Sequence, residues 1–337
     1  MMALSDAHDT PRVQSLPGPA LFAGASAPYN APVMIRARRF LVWAFVATTL
    51  SGCAMVRHRA VGMVASTLAS SGDVFTRDDD LELVGQAIPF GLKLYESLLD
   101  SAPRNKDLLM ATCSNFTQYG VAFLETDALV LGEAQHHDQV AHLNGRAIKL
   151  YLRARGYCLR GMEVRFPGIG PKLLTDPGPA LAKATKRDVP LLYWTAASWG
   201  SAIGLGLDRP ELSIDMPTVR ALAERAIALD ETWSKGALHE MFISLDSLPS
   251  ALGGAPERAR EHFKRAVELQ HGLSPGPYVA LALGQSLPAQ DRAEFESLLK
   301  QALAIDPEKD PSSRLITLVQ QRRARALLDQ IDTRFAK

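Results

Sequence analysis

The chain has 337 residues, 47% of them hydrophobic and 22% charged, which is the composition of a globular protein with ample material for a core. A formal net charge of +1 supplies no excess of cation to hold a phosphate backbone, so nucleic acid is excluded as an expected partner. Three cysteines, Cys53, Cys113 and Cys158, are too few for a disulfide-built scaffold, and a chain of this size does not need one.

The first 33 positions are rich in Pro, Ala and Gly and carry no helical or strand period, after which Met34 opens a different segment and reads as the true start. Arg36, Arg38 and Arg39 form a basic region, followed by an apolar run from Phe40 to Leu50 and by small residues before Cys53. That run is about half of the ~20 residues a membrane-spanning helix needs, so residues 1–52 read as an N-terminal extension and a cleavable signal. Leu50, Ser51, Gly52 and Cys53 resemble a bacterial lipobox, in which diacylglycerol is attached to the thiol and cleavage leaves the cysteine as the new terminus. The expectation is a lipid anchor at Cys53 on the periplasmic side of the envelope. Ala54, in place of an aspartate, permits the outer membrane.

Residues 53–75 read as a lipidated tether, and 76–335 as a single helical domain opened by the acidic cluster Asp78, Asp79 and Asp80. Ile88, Leu92, Tyr95, Leu98 and Leu99 recur at three- and four-residue steps, which places them on one helical face ended by Pro103 and Asn105. Leu108, Leu109, Cys113, Phe116, Tyr119 and Phe123 form a second stripe, and Leu143, Ala147, Ile148, Tyr151, Ala154 and Cys158 a third. Alternation long enough for a sheet is absent, so the predicted fold class is all-α. Residues 167–179, PGIGPKLLTDPGP, read as a long loop.

Toward the C-terminus AERAIALD from Ala223, FKRAVELQ from Phe263 and LKQALAID before Pro307 resemble one another, with LKLYESLLDSAP as a looser version. They recur at about 36 to 40 residues, longer than the ~34 of the tetratricopeptide repeat whose helix-closing pattern they share. The expectation is tetratricopeptide-like helical hairpins stacked in a curved or closed array, with binding rather than catalysis as the default function.

Several strings in order, DDDLELVGQAIPFGLKLYESLLDSAP, SNFTQYGVAFLETDA, VPLLYWTAASWGSAIGL, GALHEMFISL, RAREHFKRAVEL and FESLLKQALAIDP, resemble the T component of the tripartite ATP-independent periplasmic (TRAP) transporter family, often called TatT. The resemblance runs from Asp78 to the C-terminus. It implies a periplasmic lipoprotein of tetratricopeptide-like helices that associates with the transporter's solute-binding protein, as a homotrimer, with an apolar channel through each protomer. A scaffold in outer-membrane assembly, built from the same repeats, is the alternative.

Tyr193, Trp194 and Trp199 lie in a run from Val189 to Leu207 without charge, read as a buried helix. Their rings are candidates to line the implied channel and hold an apolar or carboxylate ligand, or simply to pack in the core. Asn115, Gln118 and Tyr119 share one helix and are candidates to present amide and hydroxyl groups into a cavity, or to bridge helix pairs. His239 and Glu240 lack the second histidine of HExxH, leaving no catalytic motif, and His136, His137 and His142 with Asp138 read as a solvated helix start rather than a metal site. No metal or cofactor is expected. Cys113 and Cys158 lie on separate stripes and read as two buried thiols, with a disulfide as the alternative in an oxidising periplasm.

Overall fold

A computed structural model describes residues 72–335. The leader, the Met34 start, Cys53 and the tether before residue 72 lie outside the described residues. Among those described, nine helices of ten or more residues carry the fold: α1 (Leu81–Ser101), α2 (Lys106–Tyr119), α3 (Glu133–Arg165), α4 (Val189–Leu205), α5 (Met216–Leu229), α6 (Ala237–Asp246), α7 (Pro256–Leu269), α8 (Arg292–Leu303) and α9 (Arg314–Asp329). No strand occurs among them, as the hydrophobic period predicts.

Local chemistry sets the boundaries. Asp80 caps α1, its carboxylate accepting from the Leu83 N–H at 2.9 Å, and so satisfies one of the free donors of the first turn. Asn105 does the same for Leu108 at 3.0 Å, so it opens α2, whereas the sequence reading placed it at the end of α1. The three similar strings each close a helix, at Leu229, Leu269 and Leu303.

The predicted stripes turn inward, with Ile88, Tyr95, Leu98, Tyr119 and Leu143 half-buried. Leu92 and Leu99 on α1, Leu108, Leu109, Cys113 and Phe116 on α2, and Ala147, Ile148, Tyr151, Ala154 and Cys158 on α3 all lie in the interior. Each such side chain of Leu or Phe size contributes on the order of 1.5–3 kcal/mol on leaving water. One core joins α2 to α6 through Phe116, Met162, Leu192, Trp199, Leu222, Leu238 and Phe242. A second joins α6 to α9 through Ile243, Ala266, Phe295, Leu299 and Leu327. Successive helices pack on one another from α1 to α7, the short helix Gly276–Leu281 joins α7 to α8, and α9 then returns to the short helix Thr126–Leu131, with Arg322 paired to Asp127 at 2.8 Å.

Two expectations need correction. Cys113 and Cys158 are not separate thiols: they form a disulfide, with Cα atoms 5.4 Å apart. The stripes that carry them face each other, because α2 packs directly along α3. Residues 167–179 are not an open loop but contain two short helices, Ile169–Thr175 and Pro177–Leu181, whose Ile169, Leu173 and Leu181 are buried. Pro177 sits in a first helical turn, where its missing N–H costs nothing, so proline there starts structure rather than breaking it.

Between α2 and Thr126–Leu131 the chain makes a π-turn, Gly120–Glu125. Gly120 lies against Tyr151 so closely that a Cβ there would stand 2.4 Å from the ring, and a side chain of any size is excluded. The turn brings Glu125 to the Tyr151 hydroxyl, which donates to it, and to within 4.0 Å of Arg323 on α9.

Candidate functional site

The helix α4 presents Tyr193 and Trp194 from its first half. The Tyr193 ring lies 5.0 Å from that of Trp194, edge-on, and 4.7 Å from that of Trp233, which stands in the turn before α6. Behind them is Glu240, placed by α6 one turn after Gly236. Its carboxylate accepts from the Gln270 amide Nε2 at 3.2 Å and lies against the backbone of Gly276, where a Cβ would come within 2.1 Å of Oε1. Only glycine leaves that space to the carboxylate.

Tyr193 and Glu240 both keep some accessible surface, yet loss of hydration is the first cause of the shift in each. Burial pushes the Tyr193 hydroxyl up, helped by the nearby Glu240 charge, and pushes the Glu240 carboxyl above its usual range against the Gln270 hydrogen bond. Tyr193, Trp194, Trp233 and Glu240 are each half-buried, so the three rings and the carboxylate line a partly covered recess. No cation among the described residues offsets the Glu240 charge.

The other sequence candidates are placed differently. Trp199 is buried on the α3 side of α4, with the Arg155 guanidinium over its ring at 4.8 Å, and its indole N–H has no partner. The Asn115 amide donates to the Ala111 carbonyl of its own helix at 2.8 Å. Gln118 is exposed and donates to the Ser114 carbonyl at 3.3 Å. Tyr119 packs on Phe123, rings 5.4 Å apart, among residues of α1 and of the π-turn. Of the six, therefore, Tyr193 and Trp194 stand together at the recess. Trp233, Glu240, Gln270 and Gly276 complete it and were not singled out as ligand contacts in the sequence. A charged residue at position 240 within the apolar run ALHEMFISL was the available signal.

His239 points away from Glu240. Its Nδ1 meets His262 Nδ1 at 2.8 Å, and its Nε2 meets Glu231 Oε2 at 3.2 Å. His262 Nε2 lies 3.7 Å from Asp246. The row Glu231, His239, His262, Asp246 ties α6 to α7. His136, His137 and His142 are exposed, and among the described residues no group of three or more His, Cys, Asp or Glu side chains is gathered to hold a metal. No helix of the described residues is long and apolar enough to cross a membrane, α4 included.

The described residues thus form an all-helical domain with aromatic side chains gathered where α4 meets the turn before α6. The sequence profile of the TRAP transporter T-component family matches residues 77–335, nearly all of the described chain. The protein belongs to that family. It is also similar to an uncharacterised protein of Treponema pallidum (strain Nichols), at 31% identity over 259 residues, covering 75% of this chain and 80% of the other. The protein is thus an accessory component of a TRAP-type transporter.

Proposed function

We propose that the protein is a lipoprotein held through Cys53 at the periplasmic side of the envelope, in the outer membrane, where it docks the solute-binding protein of its TRAP system. On this reading an apolar ligand is held in the recess of Tyr193, Trp194 and Trp233, within a tetratricopeptide-like stack that assembles as a homotrimer. The observation that carries the reading is the family match over residues 77–335, which spans both cores and the recess. The Cys113–Cys158 disulfide supports an oxidising compartment, since such bonds persist outside the cytosol. The lipobox supports the anchor.

The test is an affinity pull-down of the intact protein from detergent-solubilised envelope, with mass spectrometry of what co-purifies. Recovery of a periplasmic solute-binding protein supports the docking role. Recovery of outer-membrane assembly factors without it replaces the reading with that of a scaffold for extended peptide segments.

A further inference from the structure

The polar groups of the recess are of one kind. Glu240 offers carboxylate oxygens, and its single hydrogen-bond partner among the described residues is the Gln270 amide Nε2, at 3.2 Å. Gln270 is itself 8% exposed, and its Oε1 is buried without any partner. An unpaired acceptor in that position is destabilising unless something donates to it. Beside these acceptors stand the rings of Tyr193 and Trp233, 4.7 Å apart, whose faces carry negative charge density and attract cations. Gly276 lies against Glu240 Oε1, so no side chain competes with the carboxylate there.

We infer that the recess between α4, α6 and the end of α7 takes the protonated amine end of an apolar or aromatic ligand, with Glu240 as its counter-ion and the Tyr193 and Trp233 rings around its body. This inference rests on the reading of the recess as a ligand site and names the polar end of the ligand. A carboxylate placed there would meet two sets of acceptors and no cation, whereas an ammonium would meet a carboxylate, a free amide oxygen and ring faces. The loss of hydration that disfavours an ionised Glu240 is offset when a cation stands beside it. Of the two ligand classes expected from the sequence, the apolar body fits this end of the domain and the carboxylate does not.

Trp194 and Trp233 provide an intrinsic fluorescence signal for the test. The full-length protein is titrated at neutral pH with three probes of matched shape, 2-phenylethylammonium, 2-phenylethanol and 3-phenylpropanoate, read by tryptophan emission and by calorimetry. The expected order of affinity is ammonium, then alcohol, then carboxylate, with at least tenfold between first and last. Glu240→Gln, nearly equal in size, is expected to weaken the ammonium at least tenfold and to leave the carboxylate unchanged or improved. Equal or tighter binding of the carboxylate by the unaltered protein overturns the inference, as does the absence of binding by all three probes or an ammonium affinity untouched by Glu240→Gln. The ranking on the unaltered protein stands even if the variant fails to fold. Recovery of the solute-binding protein in a pull-down is read independently, so failure of the probes leaves the docking role intact, and the reverse also holds.

Discussion

Cys113 on α2 is bonded to Cys158 on α3, closing a loop of 45 residues that contains the π-turn and the short helix Thr126–Leu131. Both cysteines are fully buried, and the Cys113 sulfur lies beside Trp194 and Ser198 of α4, so the bond sits under the recess helix. In a chain-entropy account a loop of that length is worth about 4 kcal/mol through the unfolded state. Paired replacement Cys113→Ala and Cys158→Ala is expected to lower the thermal midpoint by roughly 10 °C. Unfolding monitored by circular dichroism checks this, and a midpoint shifted by less than about 2 °C would contradict the role given to the bond.

Gly120 and Tyr151 form a second tight contact, with the tyrosine ring held by its hydrogen bond to Glu125. Gly120→Ala forces a buried ring to move and is expected to cost about 1–3 kcal/mol. Chemical denaturation measures it. Tyr151→Ala in the same background opens the space again, so the double variant is expected to lose less than the two single losses added together.

The His239 and His262 pair gives the fold a pH dependence. Burial lowers the pKa of both rings, with Glu231 working against this at His239 and Asp246 at His262, while Arg265, Arg258 and the His239 charge work with it. Each folded value lies below the ordinary 6.5, so in the window beneath 6.5 the unfolded chain binds more protons than the folded one. Stability is therefore full above that pH and falls as pH is lowered through it. Two protonated rings would also oppose two N–H groups across a 2.8 Å contact. His239→Gln is expected to flatten the fall between about pH 7 and pH 5 in urea unfolding, and an unchanged slope would remove the pair from the account.

Glu240 has the opposite sign. Its folded pKa is raised, so its contribution is most favourable below the ordinary carboxylate value of 4.5 and is lost as pH rises through the folded value. Glu240→Gln is expected to melt higher than the unaltered protein at pH 8, with the gap closing toward pH 4. A gap that widens in acid would mean that another group stabilises the carboxylate.

Much of the fold was legible because helix faces are written locally. Leu92, Leu99, Phe116, Tyr151 and Ala154 repeat at the helical period, and Asp80 announces α1, so the buried faces could be read without knowing their partners. What stripes do not state is which other stripe they meet. Cys113 and Cys158 were assigned to two apolar faces correctly, and their union depends on α2 lying along α3. Residues 167–179 read as a loop because Pro and Gly break helices in their interior, yet both are at home in a first turn or before it, as at Pro177 and at Gly168, whose φ is +79°. The recess was half visible. Tyr193 and Trp194 stand out in an uncharged run, but Trp233 sits in a turn with no period, Gln270 follows the last turn of α7, and Glu240 drew notice only as part of an incomplete zinc motif.

The measurement that tests the central claim most directly is binding of the purified protein to the purified solute-binding protein of the same TRAP system, followed on a sensor surface. The account predicts saturable binding, abolished by unlabelled competitor and insensitive to replacement of the exposed His137. Absence of binding up to roughly 100 μM, a level at which even weak docking partners register, would contradict it.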